Sequence, residues 1–206
     1  MNLTYHGLNC FKIQGKNTTL VIDPKEDLKA GVNPPSFKAD IICLNDPQEK
    51  ISKIKPIQEK IFLISTPGEY EIGGIFIYSF FYPNQRNLIY HLQVEGINIV
   101  HLGNSNKPLD DQSIEKLNSV DILMVPVGGN DVLDAEKALN VINQLEPKII
   151  IPMHYKTTGL NFKLDGIDKF CREMGIKTKE STDKLKIFKK DVSSMELKTI
   201  IMNIAN

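Results

Sequence analysis

The chain contains no tryptophan, three cysteines and four histidines in 206 residues, and its 25 basic residues are balanced by 25 acidic ones. Each scarcity excludes something. A neutral chain carries no global electrostatic footprint for nucleic acid or an anionic membrane, so neither is an expected partner. The longest basic cluster, Lys184, Lys186, Lys189 and Lys190, is interleaved with apolar residues and reads as a strand with a solvated lysine face. Cys10, Cys43 and Cys171 lie far apart and form no Cys-x-x-Cys pair, which argues against a disulfide framework or a zinc knuckle. No apolar run approaches the ~20 residues that span a bilayer. The opening MNLTYHGLNCFKI has neither a basic leader nor an unbroken apolar core, so the cytoplasm is the expected location.

What is present suits a globular fold. Hydrophobic residues make up 41% of the chain and charged ones 24%, enough to build a sizeable core, and no linker or repeat divides it, so residues 1–206 read as one domain. Short strands separated by turns are expected at Leu3 to Tyr5, Cys10 to Gln14 and Thr19 to Ile22. Lys25 to Lys38, with Pro34-Pro35, reads as a surface loop. Ile41 to Leu44 and Ile61 to Ile64 are continuous apolar runs typical of strands buried on both faces, with a short lysine-rich helix expected between Gln48 and Lys60. Gly73 to Phe81 and Ile89 to Val94 read as a hairpin, followed by a buried strand at Ile97 to Leu102.

The rhythm then changes. Helices near Asp111 to Asn118, Asp134 to Leu145 and Gly166 to Met174 alternate with strands Ile122 to Pro126 and Lys148 to Pro152. Ala135, Ala138, Leu139, Ile142 and Leu145 keep a 3.6-residue stripe, with an aspartate at its start and Pro147 beyond its end. Gly175 suits a left-handed cap. Two halves of this kind pack as two sheets flanked by helices, because each sheet needs a covered face.

Several segments occur together in one order: Tyr5-His6-Gly7-Leu8-Asn9-Cys10-Phe11, Val21-Ile22-Asp23-Pro24, Ala39-Asp40-Ile41-Ile42, Gly103-Asn104, Val125-Pro126-Val127-Gly128-Gly129 and Ile151-Pro152-Met153-His154-Tyr155. The ordered set resembles the metallo-β-lactamase superfamily, in a compact branch similar to the ascorbate-6-phosphate lactonases. The resemblance implies an α/β fold, the four-layer αββα sandwich, with a site at the strand ends between the sheets. It also implies one or two metal ions held by a His-x-His-x-Asp-His turn, a bridging aspartate and a late histidine. Imidazole and carboxylate ligands hold zinc or a similar ion, which lowers the pKa of bound water to about 7.

Carried over by position, that turn falls on Asp46, Gln48, Lys50 and Ile51, the bridging aspartate on Asn104 and an early histidine on Leu8. His154 alone stands where a metal-binding histidine belongs. An ammonium group in place of a metal carboxylate repels a dication. Lys50 either pairs with Asp46 in the vacated cation position or simply points to water. The expectation is therefore a protein that has lost its metal centre and acts as a non-hydrolytic binding or assembly component for an unknown small molecule or protein. It would have no cofactor and no catalytic residue, and Asp46, Gln48, Lys50, Asn104 and His154 would line the remaining pocket.

Two alternatives stand beside it. The first is a hydrolase of a phosphorylated, lactone or other ester substrate, using zinc or another divalent metal in a relocated cage of Asp46, His101 and His154. The second is a structural homo-oligomer joined through the apolar stretch Ile75 to Phe81. Of the other residues with chemical potential, His6 reads as packing and His91 as a sheet-face residue. Glu69 and Glu71 read as solvated members of a glycine-containing turn, although paired carboxylates can serve acid-base chemistry. Asp23 is expected to fix a turn near the pocket floor through backbone hydrogen bonds. Gly128-Gly129-Asn130-Asp131 precedes a helix but lacks the glycines and lysine of a phosphate-binding signature.

Overall fold

The computed structural model describes residues 1–28, 30–32, 36–48, 51, 54–56, 60–82, 85–177 and 180–205. The first part of the chain supplies β1 (Asn2–Tyr5), β2 (Phe11–Gln14), β3 (Thr19–Ile22), β4 (Phe37–Ala39), β5 (Ile41–Cys43), β6 (Ile54–Pro56), β7 (Phe62–Ile64), β8 (Gly68–Ile72), β9 (Ile75–Phe81), β10 (Leu88–Val94) and β11 (Ile97–His101). The second part supplies α1 (Asp111–Lys116), β12 (Ile122–Pro126), α2 (Ala135–Leu145), β13 (Ile149–Met153), α3 (Ile167–Glu173), β14 (Ser181–Thr182), β15 (Leu185–Lys186), α4 (Lys189–Ser193), β16 (Lys198–Thr199) and β17 (Ile201–Met202).

Two mixed sheets result, one in the order β15-β1-β2-β3-β5-β7 and one in the order β16-β13-β12-β11-β10-β9-β8. Each has an antiparallel part and a parallel part. The antiparallel pairs are joined by short turns, as at Val94↔Ile97, where Glu95 (φ 51°) and Gly96 (φ 75°) form a two-residue turn whose twist matches the flanking strands. The parallel pairs β11-β12 and β12-β13 need crossovers, and α1 and α2 provide them. The carboxylate of Glu95 also receives the Met1 ammonium at 2.8 Å and the Lys16 amide at 2.7 Å, tying a turn of the second sheet to the first.

The core lies between the sheets. Leu3, Tyr5, Phe11, Ile13, Leu20, Ile22 and Ile41 from one sheet share a single cluster with Ile77, Tyr90, Leu92, Ile99 and Val125 from the other, all essentially inaccessible. Strands β3, β5, β12 and β13 are buried at every position, as their continuous apolar runs require. In α2 the Asp134 carboxylate accepts the Lys137 amide at 2.9 Å, and Ala135, Ala138, Val141 and Ile142 are buried. Gly175 adopts φ 67° after α3, where the Ile176 amide reaches back to the Cys171 carbonyl at 2.8 Å.

Five local expectations fail. The run Ile61 to Ile64 is not buried on both faces, because Phe62 and Leu63 are exposed on β7 at the edge of its sheet. Glu69 and Glu71 lie on strand β8, paired with β9, and not in a turn. Between Gln48 and Lys60 the described residues form no helix; Ile54–Pro56 instead pairs in parallel with Phe37–Ala39 at the end of the expected loop. The lysine-rich stretch is not one strand, since Lys186 ends β15 while Lys189 and Lys190 open α4. The stretch Ile75 to Phe81 is not a uniformly exposed apolar surface: Ile75, Ile77 and Phe80 are buried, with only Phe76 (50% exposed) and Phe81 (43%) facing outward. Among the described residues no helix is long and apolar enough to cross a membrane.

Candidate functional site

Strand ends converge on one cavity of about 260 Å³, lined by Gly7, Leu8 and Asn9 after β1, Asp23 and Lys25 after β3, Asn104 after β11 and His154 after β13. Val32, Phe162 and Leu164 form its apolar side, and Asn130 and Lys163 stand at its margin. Backbone strain is concentrated here. Of the seven non-glycine residues at positive φ among those described, four line this cavity: Leu8 (47°), Asp23 (49°), Asn130 (58°) and His154 (51°). Such conformations cost about 1–3 kcal/mol each and persist where surrounding structure enforces them. The His154 amide donates to the Leu8 carbonyl at 3.0 Å, locking two of these residues together. Gly128 is required beside them, because a Cβ there would collide with the His154 carbonyl.

The floor is a network of amides around one carboxylate. Asp23 accepts the Asn45 amide N–H at 3.1 Å and the Asn9 side-chain N–H at 3.2 Å. Asn9 Nδ2 also donates to Asn104 Oδ1 at 2.6 Å, and Asn9 Oδ1 lies 2.8 Å from His154 Nδ1. The Asn104 backbone is held by Asn87 Oδ1 at 2.7 Å. Gly103 (φ 57°) passes so close to Asn45 and Asn87 that a Cβ would overlap both side chains. Asn45 Nδ2 donates to the Leu88 carbonyl at 2.6 Å, joining the two sheets beneath the cavity.

The histidines behave differently from one another. His101 is fully buried, with Nε2 3.0 Å from the Asn9 carbonyl and Nδ1 accepting the Gly103 amide at 3.2 Å. Burial pushes its pKa down to about 4. His154 is partly exposed to the cavity, and its Nε2 has no hydrogen-bond partner among the described residues. Burial, reinforced by the Lys25 ammonium and then by His101, pushes its pKa down to about 3. Both rings are neutral at pH 7. His6 packs edge-on against Phe37, and His91 lies on β10, in the packing and sheet-face positions expected of them.

The structure brings together only part of the expected set. Asn104 and His154 line the cavity, whereas Asp46 and Gln48 do not; Asp46 instead accepts the Gln48 amide at 2.9 Å and closes its own turn. Lys50 lies outside the described residues. Both ring nitrogens of His101 are already used by the backbone. The relocated cage of Asp46, His101 and His154 is therefore not assembled. Among the described residues no group of three or more His, Cys, Asp or Glu side chains could hold a metal ion, and the donors present do not fit the cage that a tightly held divalent ion needs. Sequence reasoning missed Asn9, Asn45 and Lys25. The available signal was an asparagine within the Gly7-to-Cys10 turn, since its side chain readily hydrogen-bonds groups around a turn.

Comparison with known proteins fixes the family. Residues 2–154 match the model of the β-lactamase superfamily domain. A UPF0173 metal-dependent hydrolase of Listeria innocua is 26% identical over 204 residues, covering 78% of this chain and 87% of its own length. One from Lysinibacillus sphaericus is 27% identical over 199 residues, covering 76% and 86%. A candidate Zn-dependent hydrolase of the metallo-β-lactamase superfamily from Thermotoga maritima superposes with a TM-score of 0.82 at 29% identity, covering 98% of both chains. These relatives overturn the expectation of a non-hydrolytic binding or assembly protein. They carry hydrolase names along most of this chain's length, and they favour the hydrolase alternative. The ordered motifs, the paired mixed sheets, the strand-end cavity and the match over residues 2–154 agree: the chain belongs to the metallo-β-lactamase superfamily.

Proposed function

We propose that this protein is a hydrolase of a small phosphorylated, lactone or other ester substrate, similar in this to the lactonase branch, and that it works in the strand-end cavity. One observation carries the reading: His154, the late histidine of the motif, turns an unengaged Nε2 into that cavity from a strained backbone position. The relatives' names add support, since they are metal-dependent hydrolases.

The described side chains offer one open imidazole nitrogen instead of a three-donor cage. What they can do themselves is bind and orient. The neutral His154 Nε2 accepts a hydrogen bond from a water and orients it for attack on the ester. Asn104 Oδ1 is occupied by Asn9, which leaves the Asn104 amide nitrogen as a donor toward the substrate's oxygen. Lys25 and Lys163 add positive charge for an acidic substituent, while Val32, Phe162 and Leu164 cover the apolar part of the substrate.

The test is turnover of nitrophenyl esters, nitrophenyl phosphodiesters and a lactone panel by the purified protein, alone and with zinc, manganese or iron added. The expected result is hydrolysis that His154→Ala reduces by about 100-fold or more, within the range for loss of a group that orients the reacting water. Absence of turnover across the panel in every metal condition, or undiminished activity in His154→Ala, would overturn the reading.

A further inference from the structure

We infer that Asn9 is a positioning residue that fixes the proton of His154 on Nδ1 and so keeps the Nε2 lone pair aimed into the cavity. The argument starts from Asp23, because a carboxylate accepts hydrogen bonds and cannot donate them. The Asn9 atom that faces Asp23 Oδ2 at 3.2 Å must therefore be its NH₂ group, and the same group meets Asn104 Oδ1 at 2.6 Å. This removes the ordinary ambiguity between the two ends of an amide. The opposite end is then the carbonyl oxygen, 2.8 Å from His154 Nδ1. An amide oxygen only accepts, so His154 must donate from Nδ1. A neutral imidazole carries a single proton, so with that proton on Nδ1 the Nε2 lone pair is bare.

The same residue sets the other buried ring in the opposite sense. The Gly103 amide donates to His101 Nδ1 at 3.2 Å, so that nitrogen is bare. His101 Nε2 then carries the proton and donates it to the backbone carbonyl of Asn9 at 3.0 Å. Residue 9 thus engages His154 through its side chain and His101 through its main chain. Only the first link depends on which side chain stands at position 9. Asn9 is itself buried, and its side chain bridges groups 14, 95 and 145 residues away in sequence, which leaves it little freedom to turn over. The proton positions rest on this geometry alone; their consequence for rate rests on the hydrolase reading above.

The closing experiment is a long-range ¹H–¹⁵N spectrum of the imidazole rings in the full-length protein at pH 7. The chain has four histidines, so His154→Gln and His101→Gln spectra assign the two rings of interest. The wild-type protein should show His154 protonated on Nδ1 and His101 on Nε2. In Asn9→Ala, His154 should shift toward the Nε2-protonated form, while His101, held by the main chain, keeps its pattern. A wild-type His154 carrying its proton on Nε2 overturns the proposal, as does an Asn9→Ala spectrum in which His154 is unchanged. Should Asn9→Ala fail to fold, the wild-type spectrum decides by itself. If the protein is active, kcat in Asn9→Ala falls about 10- to 100-fold with KM little changed. A wild-type spectrum as predicted from a protein that hydrolyses nothing would sink the hydrolase reading and leave the assignment of Asn9 standing.

Discussion

Two strand ends of equivalent kind, one after β5 and one after β13, have opposite fates. After β13 the chain turns through His154 at φ 51° and leaves an imidazole nitrogen open to the cavity. After β5 it passes through Asn45, whose side chain ties down the Leu88 carbonyl, to Asp46, which closes a turn on Gln48 outside the cavity. One end retains a reactive group at a cost in backbone strain. The other spends its polar groups on structure. A strand end thus becomes a site through the atoms it leaves unsatisfied as much as through the residue types it carries.

The contrast is broken most directly at its two poles. His154→Ala should lower hydrolytic turnover by about 100-fold or more, about 2.7 kcal/mol in the barrier, with little change in the urea midpoint. Comparable loss in Asp46→Ala would show that both strand ends feed the chemistry. The next effect is on stability. His101 stays neutral in the folded protein down to about pH 4, whereas in the unfolded chain it protonates near 6.5. The unfolded state therefore binds more protons between these values, and stability is lost as pH falls from about 6.5 to about 4. The loss is on the order of 2–3 kcal/mol for this group. Urea unfolding at pH 7.5, 5.5 and 4.5 should show that slope, and a folded His101→Gln variant should show a shallower one.

Asn45→Ala removes the donor for the buried Leu88 carbonyl and should cost about 1–3 kcal/mol in chemical denaturation. A neutral result would mean that the two sheets do not rely on this link. The smallest effect is expected at Asp46 itself. Its turn is exposed, so Asp46→Ala should change stability by about 0.5 kcal/mol or less and leave turnover within a factor of about two.

Much of the frame could be read locally. The apolar runs of β12 and β13 require burial on both faces, and α2 shows its 3.6-residue stripe and its Asp134 cap within one short window. The segment between Gln48 and Lys60 could not be read that way, because the strand Ile54–Pro56 exists only through its pairing with Phe37–Ala39. The site divides similarly. His154 was visible in its Pro-Met-His-Tyr motif and Asn104 in its Gly-Asn step, and both line the cavity. His101 was suspected as a ligand, but burial against the Asn9 and Gly103 backbone consumes both its nitrogens.

Composition and periodicity by themselves determined most of the strands and the main helix, because those signals arise from neighbours within a few residues, while the superfamily showed through the ordered set of motifs. Only the tertiary structure decided which polar groups remain open. Asn9 looks like an ordinary turn residue until the fold places His154, 145 positions away, 2.8 Å from its oxygen. Whether a donor is free or spent depends on partners brought from distant parts of the chain, and no local pattern encodes that.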